Sequence, residues 1–459
     1  MTIFVVVLGV SSALLVERSG LRHKSFWRIL MSLPLVVPPY VLALSVILVA
    51  GPRGLAEQAF SATLPSPFGL WGSAFVLTMA TYPYVFLLTS AALRSLDPSR
   101  EEAAKVSGRT ALSRFLLVIF PAIKPAVAGG ALLAALYCIS DFGAVAVMRY
   151  NTLTVAVYEQ ITARYDRAGA AVLSLVLIAL GATVTLTQSR LVGDRHAEEG
   201  VRRGDANVQS RGSGFPAAGG LAFVGLVALG LPLFSLAWWI FTQPGVRVED
   251  GTGRFALNAV VTSAIAATII VLVAIPPALM AEGSRLRRLM VRGMILIGYS
   301  VPGVVAGLAT AMILLQLPLP LYATAGAVVA AYLVRFLPQG LLAAEAGGGA
   351  PGPLTEAGLT LGRRPLAVAA RVTLPLMRPH LIAGWALIFL SCLKELPATL
   401  LLRPPGFETL ATRIWVHSSQ GSFGRAAVPA LILILLAAPP LALLLRRGNI
   451  VLGNPTKSS

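Results

Sequence analysis

Runs of about twenty apolar residues without a single charge limit what this chain can become. Residues 70–92, 219–241 and 426–445 are three such runs. A helix rises 1.5 Å per residue, so about 20 residues cross the ~30 Å hydrocarbon layer of a bilayer. Only 12% of the 459 residues are charged, about half the share in soluble domains. A chain this apolar cannot hide its surface in one aqueous core, and lipid is its natural solvent. Eleven apolar segments can be placed: 2–16, 33–51, 70–93, 126–147, 168–187, 218–241, 256–280, 293–315, 320–343, 380–402 and 426–445. The alternating pattern of barrel strands is absent, which leaves helices. The expected fold is all-α, a polytopic membrane protein of about 11 transmembrane helices.

The net charge of +18 does not indicate nucleic-acid binding. The basic residues lie in short loops between apolar runs, and no basic helix with interleaved aromatics occurs. Their distribution is topological. Of the 37 Lys and Arg residues, 26 fall in one set of alternating loops and the tail, and 9 in the opposite set. Lysine and arginine mark the cytoplasmic side, so the richer set and the C-terminus are expected inside. With eleven spans the N-terminus is then outside. Cys138 and Cys392 both sit in apolar segments and form no disulfide framework or metal site. Residues 188–216 are the one long polar, Gly-rich stretch between spans. They are expected to be a cytoplasmic linker between two domains, 1–187 and 217–459.

The two sides of that linker resemble each other. Glu102-Ala103 recurs as Glu356-Ala357, Gly108 as Gly362, Pro121 as Pro375, Pro125 as Pro379, Cys138 as Cys392 and Asp141 as Glu395, each at an offset of 254. Thr152-Leu153 and Thr409-Leu410, and Tyr158 and Trp415, follow at 257. Matches in one order, on segments of one topology, indicate a tandem, parallel repeat. The densest pair is EAAKVSGRTALSRFLLVIFP at 102–121 and EAGLTLGRRPLAVAARVTLP at 356–375. Each predicts a helical turn, a glycine able to take tight-turn angles, and a second helical piece that proline breaks before the next span. A short helical hairpin on the cytoplasmic side suits docking in a groove of a soluble partner.

These two stretches resemble the EAA loop of the permease subunits of ABC importers. The first copy carries Glu102, Ala103, Ala104, Gly108, Val118 and Pro121, and departs at Phe120, where leucine is usual. The second carries Glu356, Ala357, Gly362, Val372, Leu374 and Pro375, and departs at Gly358, where alanine is usual. The resemblance implies that each loop seats in an ATP-binding subunit. It implies two copies of that subunit and a periplasmic substrate-binding protein as partners, in a bacterial inner membrane. ATP and magnesium would be used by the partner, with no cofactor on this chain. The chain has no GxxxxGK[ST] phosphate loop, so it is not expected to be an enzyme. ATP binding would move the loops and switch the permease between inward- and outward-facing states.

Two permease domains on one chain narrow the resemblance. Residues 140–160, SDFGAVAVMRYNTLTVAVYEQ, and 394–415, KELPATLLLRPPGFETLATRIW, look like the fused permeases of iron(III) import systems. Iron(III) is therefore the expected cargo, with thiamine, polyamine or phosphonate as alternatives on the same architecture. An ion-gradient-driven secondary transporter is the alternative of another class. It would leave the paired loops unexplained and calls for more midplane ionisable groups than this chain has.

Asp141 and the pair Lys394-Glu395 place charge in or at the end of apolar segments. Such groups must be paired or reach water. They are candidates for the translocation path or a binding-protein contact, set against a plain helix-end role. His23, His196, His380 and His417 show no ligand spacing, and no metal site is expected. The repeat also predicts a missing helix. Glu17 pairs with Glu282, which aligns Met1 with Ala266, inside the second half's 256–280 segment. No counterpart of 219–241 precedes it, so twelve spans are expected in the full protein. A cleaved signal peptide at 2–16 would need a basic stretch before it, whereas its basic flank follows.

Overall fold

The structure, a computed structural model, describes every residue except 98, 100–102, 105, 109, 193–213, 244–245, 247, 282–284, 318–320, 349–352 and 452–459. Glu102, Glu282 and most of the expected linker thus lie outside the described residues. No strand occurs among the described residues, and the fold is the all-α membrane architecture. Among the described residues eight helices are long and apolar enough to cross a bilayer, or nine when one bent pair is taken as a single span. The difference from eleven lies in particular segments. The opening helix Thr2–Arg18 has 17 residues, and Ala427–Ala442 is also short of a full span. The segment expected at 293–315 is two pieces, Leu289–Ser300 and Gly303–Gln316, bent by 106°. Pro302 causes the break, since it has no N–H to donate and holds the residue before it out of helical angles.

The chain forms two compact units, interleaved along the sequence. Unit 1 joins Met1–Tyr150 to Thr183–Trp239, and unit 2 joins Asn151–Ala182 to Ile240–Ser459. In unit 1 the helix Leu70–Ser95 is central and packs on Thr2–Arg18 and Leu112–Ser140. Val5, Val16, Tyr82, Phe86, Ile123, Leu221 and Ala228 belong to one buried cluster there. In lipid no hydrophobic force pulls helices together, so close van der Waals fit must do so, and small residues permit it. A Cβ at Gly9 would stand 2.7 Å from the Val85 Cβ, and one at Gly130 would stand 2.6 Å from the Val85 Cα. Two neighbours thus close on the central helix at one level.

Unit 2 repeats the arrangement. Ala325–Gly348 packs on Thr252–Ala281 and on the span Pro365–Leu393. Gly384, 254 residues after Gly130, meets Ala343 so closely that its own Cβ would clash. Gly130→Leu is therefore expected to destabilise the protein by at least about 1–3 kcal/mol, the usual cost of overpacking. Gly219→Leu, where a Cβ meets nothing within 4 Å, is the control. Thermal unfolding of the purified protein checks this, and equal melting of the two variants would refute the close-approach role.

Proline shapes the long spans in a way the motif does not predict. Pro121 and Pro375 were expected to break the chain before the next span. Instead Leu112–Ser140 and Pro365–Leu393 each run through as one helix. Proline cannot donate to the carbonyl four residues back, and its ring crowds that carbonyl. The preceding turn widens to π geometry at Phe115–Ile119 and Ala369–Thr373, again 254 residues apart. There Phe120 N–H donates to Phe115 O, and Leu374 N–H to Ala369 O. The same device stands before Pro232, at Leu226–Gly230. A widened turn relieves the clash without exposing a full helix end to lipid.

Candidate functional site

The two loops singled out in the sequence are built alike. In unit 2 the helix Pro353–Thr360 carries Glu356 and Ala357. It ends where Leu361 N–H donates to Ala357 O at 3.0 Å and Gly362 N–H to Leu359 O at 3.0 Å. Gly362 has φ +74, the left-handed region that glycine enters without penalty. Arg364, in extended backbone, then precedes the helix that starts at Pro365. In unit 1, Ser107 N–H donates to Ala103 O at 3.0 Å, and Gly108 follows with φ +73. A Cβ at either glycine would meet nothing within 4 Å. What these positions require is backbone angle, not space.

The loops also carry apolar side chains into the open. Val106, Leu112, Leu361 and Leu366 are exposed, the last two at 81% and 85%. Leu112 and Leu366 are themselves 254 residues apart. Glu356, Ala357 and Ala103 are exposed too, while Ala104 is buried. The departure at Gly358 has a local cause. Gly358 faces Val368, and a Cβ there would come within 3.1 Å of its methyl. Glycine lets Pro353–Thr360 close on the following helix.

The intramembrane acids divide by unit. Asp141 Oδ1 accepts from Ala144 N–H at 3.0 Å and Val145 N–H at 3.3 Å, opening the short helix Gly143–Val147. Its repeat mate Glu395 does the same for Pro397–Leu402, accepting from Ala398 N–H at 3.4 Å. Glu395 is also ion-paired with Arg335, Nε to Oε2 at 3.0 Å, with a carboxylate only 5% exposed. Thr399 Oγ1 donates to Glu395 O at 2.9 Å and shares a 2.6 Å hydrogen bond with Tyr332. Lys394 is half-buried beside them. Gly303, just past the 106° break, lies where a Cβ would fall on both the carboxylate and the guanidinium. The broken helix, the acid and the arginine thus converge in one place. Discontinuous helices beside ionisable groups are how membrane transporters build polar sites at depth.

Sequence reasoning passed over Arg335 as a site residue. Its signal was present, a lone arginine in the middle of the apolar run 320–343. It also took Glu17 only as a repeat marker. In unit 1 Glu17 is buried and receives Arg28 at 2.8 and 2.7 Å and Ser90 at 2.5 Å, tying three segments together. A third cluster in unit 2 joins Glu249 to Arg413 and His417. These partners are 164 and 168 residues apart, with no local pattern to announce them.

Residues 5–195 match the family described as binding-protein-dependent transport system inner membrane component. The chain is 28% identical over 454 residues to an Fe(3+)-transport system permease protein of Haemophilus influenzae, covering 96% of this chain and 87% of that protein. It is 24% identical over 458 residues to a ferric transport system permease protein of Actinobacillus pleuropneumoniae, covering 93% and 66%. A probable molybdenum ABC transporter permease of Haloferax volcanii is 28% identical over 184 residues, covering 39% and 67%.

Proposed function

We infer that this chain, which carries a binding-protein-dependent transport permease domain over residues 5–195, is the membrane subunit of an ATP-driven importer for iron(III). The observation that carries the permease reading is the matched pair of exposed helix–glycine–helix loops at one repeat offset, Gly108 at φ +73 and Gly362 at φ +74. The ferric relatives, aligned along nearly the whole chain, carry the cargo reading.

In this reading two ATP-binding subunits seat on the loops at 102–121 and 356–375, burying Leu112, Leu361 and Leu366. ATP and magnesium belong to those partners, and this chain holds neither. Closure of the ATP-binding subunits pulls on the loops. Because Leu112–Ser140 and Pro365–Leu393 are continuous helices, the pull passes directly into the spans. A periplasmic binding protein delivers the cargo on the opposite side, and the C-terminus is cytoplasmic. Asp141, Lys394 and Glu395 are assigned to the path or to the binding-protein contact, with Arg335 now joined to them.

Uptake of labelled iron(III) tests the cargo. Cells lacking this chain are expected to lose uptake, and cells complemented with it to regain it. Unchanged iron uptake with loss of molybdate, thiamine or polyamine uptake would reassign the cargo while leaving the permease reading in place. Failure of the chain to copurify with any ATP-binding subunit would instead overturn the permease reading.

A further inference from the structure

In unit 1 the Thr2–Arg18 helix ends, the chain turns, and the amphipathic helix Lys24–Ser32 begins. Beside this turn lies an open groove of about 960 Å³, with the start of the Phe215–Thr242 span on its far side. That volume lies within the roughly 300–1,000 Å³ range of ligand pockets. Its lining has two characters. Arg22, His23 and Ser25 supply polar groups, and Phe26, Trp27 and Phe215 supply aromatic surface. Phe26 and Phe215 are 57% and 85% exposed.

Charge along residues 17–28 is one-sided. Among residues 17–28 four are Arg or Lys and one is acidic. That acid, Glu17, is already engaged by Arg28. Arg18 donates to Leu93 O at 3.0 Å and Lys24 to Glu17 O at 2.8 Å. Arg22 and His23 are exposed and make no side-chain hydrogen bond to another described residue. The groove lies where the apolar helix Thr2–Arg18 ends and the apolar span Phe215–Thr242 begins. Aromatic side chains and amphipathic helices favour the headgroup level of a bilayer.

We propose that this groove binds the headgroup of an anionic phospholipid from the surrounding bilayer, with Arg22 and His23 on the phosphate and Phe26, Trp27 and Phe215 against the glycerol and upper acyl chains. A basic pocket between membrane helices is suited to such headgroups. The exposed aromatic wall argues for a lipid over a free anion, because inorganic phosphate would gain nothing from Phe26 and Phe215. The site rests on the membrane placement of the chain and not on its cargo, so a negative iron-uptake result leaves it standing.

The test uses the full chain in nanodiscs containing both phosphatidylglycerol and phosphatidylcholine. Native mass spectrometry then reads which lipid stays bound as the disc is stripped. Phosphatidylglycerol is expected to be retained in preference. Arg22→Gln should lower that retention about five-fold, the effect of one basic charge near an anionic surface, and Arg22→Lys should restore it. Arg22 is exposed, so folding is not at risk, and unchanged thermal unfolding confirms this. Arg287→Gln, an exposed basic residue of unit 2, should leave retention unchanged. Equal retention in wild type and Arg22→Gln would overturn the proposal. So would equal retention of the two lipids, which marks ordinary annular contact. Displacement of the lipid by millimolar inorganic phosphate would overturn it too, by identifying a free-anion site.

Discussion

Replacing Gly108 and Gly362 together by valine is expected to abolish at least about nine-tenths of transport while leaving the protein folded in the membrane. Both glycines have left-handed backbone angles. A residue with a Cβ loses about 1–2 kcal/mol there, and a β-branched one fits worst. Two sites together cost roughly 2–4 kcal/mol, which is about 30-fold or more in the population of correctly shaped loops. A Cβ at either position meets nothing within 4 Å in this chain, so the cost within the chain is one of backbone conformation. Gly108→Asn with Gly362→Asn provides the control, because asparagine tolerates these angles. It should keep most of the transport and most of the copurification with the ATP-binding subunit. Equal uptake and copurification in the valine and wild-type proteins would remove the loops from the coupling role.

Glu395→Ala is expected to destabilise unit 2 by about 3–5 kcal/mol, since it strands the Arg335 guanidinium without its partner in a buried site. Arg335→Met combined with Glu395→Met should recover most of that loss, because an apolar pair of similar volume avoids the desolvation penalty altogether. Thermal unfolding of the three proteins measures this, and a double variant no more stable than Glu395→Ala would refute the pairing. The double variant also separates structure from transport. A folded, stable protein with uptake reduced ten-fold or more is the expected result if the pair lies on the path. Full uptake by that protein would confine Arg335 and Glu395 to a structural role.

The features legible in the sequence were those written locally or written twice. Glycine in an exposed turn announces its backbone angle within a few residues, and its recurrence 254 residues later removed the ambiguity of a single copy. The acids Asp141 and Glu395 were likewise visible as a pair. What they do was only half visible. Capping the next short helix is local, but the Arg335–Glu395 contact joins separate spans, and no spacing rule reports it. Pro121 and Pro375 were read as stops because in water a proline usually ends a helix. In lipid an unsatisfied helix end costs several kcal/mol, so widening one turn is the cheaper solution, and the helix continues. The bend at Pro302 went the other way, because Gly303 beside it allows the chain to fold against a charged pair.

The interleaving of the two units sets a timetable for synthesis. Unit 1 contains Leu221 and Ala228 in its buried cluster, yet residues 151–182 belong to unit 2. The ribosome must therefore make a piece of the second unit before it can finish the first. At about 5–20 residues per second, the stretch from 151 to 239 takes roughly 4–18 s. Throughout that interval the nascent first unit stands in the bilayer with one wall missing. Its small-residue contacts around Val85 can form early, but its cluster cannot close. The last wall arrives from beyond the polar stretch, so the first unit closes only when residues up to 239 have been made, while most of the second is still to come.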